Sequence, residues 1–296
     1  MSVLDNLKQT YRLGSSAVRL IYVNAVVFLL LQVLIILFRL FNIPGSFFVS
    51  YLALPADLSQ LLYKVWTPLT YMFLHEGVMH FFFNMLTLFW FGKLFLMYFS
   101  EKQLVGLYIL GGLFGAVFYV AAYNLFPYFA PVLHQSILLG ASASIMAIVI
   151  ATAIQSPNME LRMLLIGNVK LKYIAVFFVL ASFFGVTSDN GGGQLAHLGG
   201  ALAGYLFIVS LQQGKDFTKG ISRILDFFVN LFGPRKLKVK PNPHRKNAPM
   251  SDAEFNAGKA RKMAEIDKIL DKIKTSGYES LSTDEKKRLF EQGNKS

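Results

Sequence analysis

The sequence predicts an all-α integral membrane protein: a bundle of six transmembrane helices followed by a small cytoplasmic helical tail. Three observations carry this. Of the 296 residues, 54% are hydrophobic and only 16% are charged, too few charges to cover a water-soluble domain of this size. The apolar residues gather in six segments before residue 214, near 20–41, 79–100, 104–124, 137–155, 170–187 and 194–212. Most of these approach the roughly 20 residues needed to cross a bilayer. Finally, the basic residues between the segments alternate in density, as a topology signal does.

With the N-terminus inside, the inner stretches carry Lys8, Arg12, Arg19, Lys93, Lys102, Arg162, Lys170 and Lys172, and Lys215, Lys219 and Arg223 follow the last span. The outer stretches carry only Arg39 and Lys64. An even number of spans keeps this asymmetry through the tail, so both termini are expected in the cytoplasm. Residues 1–19 have no compact signal peptide, and the first apolar run reads as a retained helix. The expected organisation is a cytoplasmic segment 1–19, a membrane domain 20–213, an amphipathic segment and basic linker 214–250, and a helical hairpin 251–296.

Span one is a continuous apolar run. The connection after it, 42–78, is too apolar for an aqueous loop and is broken by Pro44, Pro55 and Pro68. Short helices lying in the outer leaflet are expected there, with Tyr63, Trp66 and Tyr71 as headgroup-level anchors. Spans two to four follow in long apolar runs. Spans five and six are short and flanked by glycine. After them, Ser222 to Pro234 places Ile224, Leu225, Phe228 and Leu231 near one helix face, suited to the inner membrane surface. RKLKVKPNPHRK is a basic, proline-broken linker that offers contacts to anionic lipid. From Ser251 the chain has helix syntax: Ser251 with Glu254 and Ser282 with Glu285 are candidate capping boxes. Gly277 separates the two helices. Such a hairpin is too small to hold much core, and both a solubilising tail and an adaptor fit it.

The net charge of +12 would suit nucleic acid, but its concentration in short loops and the tail points to lipid and topology instead, so no nucleic-acid partner is expected. Cysteine is absent, which excludes disulfides, thiolate ligands and cysteine nucleophiles. Chemistry must then come from polar groups inside the spans, where they are costly. His80 and Asn84 sit four apart and share a face of span two, with His75 near its mouth. Ser142 opens span four within GASAS. His197 is the one ionisable group of span six, on a face where Ala196, Gly200 and Gly204 recur every four residues for close packing.

Taken singly, each of these is an ordinary interhelical hydrogen-bonding group. In the assigned topology, however, His75, His80, Ser142 and His197 share one depth below the outer surface. A serine and a histidine suffice for acyl transfer: imidazole removes the hydroxyl proton and later delivers it to the leaving amine. No Asp or Glu lies deep in spans two, four or six, which favours a Ser142–His197 dyad over a triad. His80, Asn84 and the Ser142 backbone N–H are candidate donors to the oxyanion. A three-histidine metal site from His75, His80 and His197 competes, but HEGVMH has the wrong spacing for a zinc helix. A transporter would need a polar path across the whole membrane, whereas this cluster occupies the outer half.

These motifs resemble those of the bacterial rhomboid family of intramembrane serine proteases over about residues 20–212. The resemblance rests on His80-x-x-x-Asn84 in the second span, Gly140-Ala141-Ser142-Ala143 opening the fourth and Ala196-His197-x-x-Gly200 in the sixth, with His75 before the second. It implies a Ser142–His197 dyad, an oxyanion and substrate-supporting set of His80, Asn84, His75 and Gly140, and packing glycines at Gly200 and Gly204. It also implies no cofactor and no metal. Single-span or multi-span transmembrane substrates would be cut near the outer leaflet of a bacterial inner membrane after admission from the side, with the lipid bilayer as the other partner. Thr67 stands where many members have arginine, Ala143 where glycine is common, and Met146 where a tyrosine often packs on the histidine. One methyl at Ala143 is tolerable in a helix, with crowding of the oxyanion site as the alternative. These departures keep a second expectation open: a catalytically inactive rhomboid-like protein that binds membrane clients.

Overall fold

The computed structural model describes residues 3–163, 167–232 and 252–293, in two compact units, Met1–Pro234 and Arg235–Ser296. The first unit opens with two helices, α1 (Val3–Leu13) and α2 (Ser16–Leu40). Ser15 caps α2 by accepting from the Val18 N–H, and the Glu101 carboxylate accepts the Ser16 N–H. α1 was not foreseen, because residues 1–19 are short and mixed in polarity.

The connection 42–78 is built of short pieces: α3 (Ser46–Leu52), β1 (Leu54–Pro55), α4 (Leu58–Tyr63), α5 (Thr67–Thr70) and a 3-10 turn, Tyr71–Phe73. Its prolines prevent a single helix. Side chains tie it to its own backbone instead: Lys64 Nζ donates to Ser50 O at 2.9 Å, Trp66 Nε1 to Tyr51 O at 3.0 Å and Thr70 Oγ1 to Leu52 O at 2.6 Å. Thr67 is fully buried and donates to Lys64 O. Thr67 thus closes a turn of the loop.

α6 (Val78–Phe95) and α7 (Glu101–Leu125) follow, α7 opened by a capping box of Ser100 and Gln103. After a 3-10 segment comes β2 (Ile137–Leu138), then α8 (Ser142–Gln155). The expected helix 137–155 is therefore shorter at its start, since residues 137–138 pair antiparallel with β1, Leu54 opposite Leu138. A hairpin of β3 (Glu160–Met163) and β4 (Gly167–Lys170) leads to α9 (Leu171–Phe184), α10 (Gly191–Gln212) and α11 (Lys219–Phe232).

Four helices, α2, α6, α7 and α10, are long and apolar enough to cross a membrane by length and composition. α8 and α9 are shorter apolar helices of 14 residues each, roughly 21 Å at 1.5 Å per residue. The core lies where α10 packs on α7 and α8, and small residues make that approach possible. A β-carbon added at Gly200 would stand 2.1 Å from the Ala143 carbonyl oxygen, and one at Gly204 would stand 2.4 Å from that of Ala147. Buried Asn24 on α2 donates to Leu20 O and to the Tyr108 hydroxyl, which itself donates to Met72 O. That chain joins α2, α7 and the first connection.

α11 begins earlier than the expected Ser222 and packs on α7. Lys102 and Asp226 pair across this contact at 2.7 Å. Ile224 and Leu231 remain exposed. The linker RKLKVKPNPHRK, Ser251 of the first candidate capping box and the side chains of Glu254 and Phe228 lie outside the described residues. The second unit holds α12 (Asp252–Ser276) and α13 (Thr283–Gly293). Gly277, at φ +79°, turns the chain between them, a left-handed conformation that favours glycine. The Ser282–Glu285 box forms, with Ser282 N to Glu285 Oε2 at 2.7 Å and Glu285 N to Ser282 Oγ at 3.3 Å. Ile269 and Leu281 are buried within this unit.

Candidate active site

The start of α8 is set by the segment before it. The β1–β2 pair fixes residues 137–138, the Gly140 N–H donates to Tyr71 O at 3.0 Å, and Gly140 then turns at φ +127°. Only glycine takes that conformation without strain. α8 has no side-chain cap at Ala141, and its first intrahelical bond runs from Ile145 N to Ala141 O. The N–H groups of its first turn, Ser142 included, therefore have no acceptor within the helix and carry the positive end of its dipole.

Gly140 is also where three candidate residues meet. A β-carbon there would lie 3.0 Å from His80 Cε1, 3.1 Å from His80 Nε2 and 3.7 Å from Ser142 Oγ. The His80 imidazole thus lies over the backbone just before Ser142. Asn84, one turn along α6, is buried and donates through Nδ2 to His80 O at 2.9 Å. One of its two amide N–H groups is used in this way.

His80, Asn84, Ser142, Met146 and His197 all line one cavity of about 560 Å³. Among the described residues no hydrogen bond joins Ser142 to His197 (catalytic contacts are often loose without substrate). His197 instead has Nδ1 at 3.3 Å from the Ser182 hydroxyl on α9. Met146 is buried at the cavity wall.

His75 is buried beside His80, its ring centroid 5.4 Å from those of His80 and Phe81. The Ala143 methyl faces α7, 2.6 Å from where a β-carbon at Gly115 would be. Among the described residues no group of three or more His, Cys, Asp or Glu is placed to hold a metal.

Sequence reasoning missed Ser182, Tyr119 and Tyr123. The two tyrosines come from α7 and line the cavity beside Gly192. Ser182 had a faint signal, as a lone hydroxyl inside LASFF; the tyrosines had none in a helix already rich in aromatics. Glu76 and Asp189 bring carboxylates to the lining, but neither residue is buried.

The Rhomboid domain family model matches residues 63–213, just over half of the chain and the part that contains every cavity residue named above. A second model, a family of unknown function (DUF6576), matches residues 251–295, the helical hairpin. The comparison with curated proteins finds no match.

Proposed function

The chain belongs to the rhomboid family, and we propose that it is an intramembrane serine endopeptidase acting through Ser142 and His197. The observation that carries this is that His80 and Ser142 Oγ come together at Gly140 and line, with His197, one cavity. In the reaction, His197 takes the Ser142 hydroxyl proton as Oγ bonds to the scissile carbonyl carbon. The negative charge moves to the carbonyl oxygen, where the first-turn N–H of α8 and the side chains of His80 and Asn84 donate to it. Collapse breaks the C–N bond, and the imidazolium proton leaves with the amine. Water, deprotonated by His197, then hydrolyses the Ser142 ester, releasing a carboxylate and restoring the serine.

The same reading gives six spans, with α8 and α9 crossing within a bundle that thins the bilayer locally, and a bacterial inner membrane with both termini in the cytoplasm. Substrates are single-span or multi-span membrane proteins cut near the outer leaflet. They are admitted between α6 and α9, which both contribute to the cavity lining, α6 through His80 and Phe83 and α9 through Phe178. α11 and the basic linker meet the inner leaflet, the linker through anionic headgroups. No cofactor takes part. The test is cleavage of a single-span model substrate in liposomes by wild type and by Ser142→Ala; equal rates refute the mechanism.

One observation favours a second reading, a catalytically inactive member that binds membrane clients: Ser142 and His197 are not hydrogen-bonded to each other. A serine-reactive fluorophosphonate separates the two. Labelling that disappears in Ser142→Ala belongs to the peptidase, and client binding without labelling or cleavage belongs to the inactive protein.

A further inference from the structure

Ser182 sits in the last turn of α9, between Ala181 and Phe183, in a helix with no other polar side chain past Tyr173. It is 2% exposed. A hydroxyl buried in apolar surroundings is costly unless it is hydrogen-bonded, and its partner is His197 Nδ1, at 3.3 Å. α9 and α10 pack together, so this contact is held by two helices rather than by a loop. The cavity lining that comes from α6, α8 and α10 supplies no carboxylate; the two carboxylates of the lining, Glu76 and Asp189, precede α6 and α10.

We propose that Ser182 is a positioning residue for His197, doing with a neutral hydroxyl what a carboxylate does for histidine in a triad. It rests on the peptidase reading above. The imidazole has two nitrogens, and which one carries the proton is set by the hydrogen bond the other makes. When Nδ1–H donates to Ser182 Oγ, Nε2 keeps its lone pair and is the nitrogen available to take the Ser142 proton. When that proton arrives, the imidazolium carries N–H at both positions, and Ser182 Oγ goes on accepting from Nδ1. The contact strengthens as charge forms, because a hydrogen bond to an ion exceeds one between neutral groups. Its effect falls on the reacting state more than on substrate binding. A hydroxyl also avoids the cost of a buried carboxylate inside the membrane.

The test uses full-length protein in liposomes with a single-span substrate, comparing wild type, Ser182→Ala, Ser182→Thr and Ser182→Val, with thermal unfolding in detergent as the check on folding. Ser182→Ala removes the hydroxyl without adding atoms and is expected to lower kcat by about ten- to a hundredfold, as for loss of one charge-assisted bond in the transition state. KM is expected to stay within about twofold, since uniform binding is untouched. Fluorophosphonate labelling of Ser142 slows in parallel. Thr and Val have the same shape, so recovery of kcat by Thr and not by Val assigns the effect to the hydroxyl. Wild-type kcat in Ser182→Ala, or equal loss in Thr and Val, overturns the role of Ser182. Absence of both cleavage and labelling in wild type overturns the peptidase reading itself.

Discussion

Gly200→Ala probes the closest approach in the bundle. The new methyl carbon would stand 2.1 Å from the Ala143 carbonyl oxygen, 2.8 Å from its carbon and 3.1 Å from Ala143 Cα. All three are backbone atoms of α8, so no side chain can swing away to make room. Ordinary contact begins near 3.4 Å, so α8 and α10 must part by roughly 1 Å. Overpacking of this kind costs about 1–3 kcal/mol in stability. The effect on rate is larger in proportion, because Ala143 follows Ser142 directly and His197 lies one turn before Gly200. A displacement of about 1 Å between reacting groups is worth roughly a hundredfold in rate. Initial rates in liposomes, paired with thermal unfolding, measure both. Gly220→Ala is the control, since an added β-carbon there meets nothing within 4 Å; it leaves rate and melting temperature unchanged or raises the latter slightly. Wild-type kcat in Gly200→Ala would refute the idea that this contact sets the spacing of Ser142 and His197.

Gly140→Ala meets both a left-handed φ of +127° and the His80 ring at 3.0 Å; cleavage is expected to fall about a hundredfold or more, with retained Ser142-independent folding read from the melting curve. Asp57 accepts from Ser59 N, from Ser59 Oγ and from His134 Nδ1, at 2.8, 2.7 and 2.6 Å. The Ser59 hydroxyl foremost, then His134, holds its carboxyl at about 2, below the ordinary carboxylate range. A carboxyl depressed in the folded state contributes stability that is full above its unfolded pKa, near 4, and is lost as pH falls through about 2. The melting temperature of wild type should therefore exceed that of Asp57→Asn at pH 6 and converge on it between about pH 4 and pH 2; a constant gap refutes the assignment. Lys102→Ala removes an ion pair whose side chains are 68% and 51% exposed, and the stability lost should be no more than about 0.5 kcal/mol by denaturation in detergent. A large loss would mean that the pair, rather than apolar contact, seats α11 on α7.

Composition and local pattern reach some parts of this molecule and not others. The long helices α2, α7 and α10 are legible because each is a continuous apolar run, and the capping box at Ser282 because its two partners are three residues apart. The start of α8 was misplaced at residue 137 because the reason for stopping there lies about 80 residues away, in β1. A β-pair of two residues has no periodicity of its own, and an apolar segment that is strand at its start and helix afterwards reads as one helix. Ser142, His197, His80 and Asn84 stood out because polar groups are rare in spans. His75 stood out as well, but its surroundings did not, since the direction of a ring depends on packing: it packs against Phe28, Phe81 and His80. Ser182 was hidden for a similar reason, because its partner comes from another helix.

The first connection and the start of α8 are one mechanical unit, and on the peptidase reading this is what keeps the geometry of the site. Ala56 N donates to Ser136 O, β1 pairs with β2, Tyr71 O accepts from Gly140 N, and the Tyr71 hydroxyl donates to Gly112 O at 2.6 Å. Asn124 Nδ2 reaches Ala56 O from the end of α7. Every one of these bonds uses backbone on at least one side, so they locate the chain itself rather than individual side chains. Gly140 is held from the loop side by Tyr71 and from α6 by the His80 ring, while Gly200 holds α8 against α10. Positioning therefore comes from three directions that share the backbone between residues 140 and 143. Loosening any one of them should reduce catalysis before it reduces stability, because the remaining two keep the bundle assembled while the reacting atoms lose register.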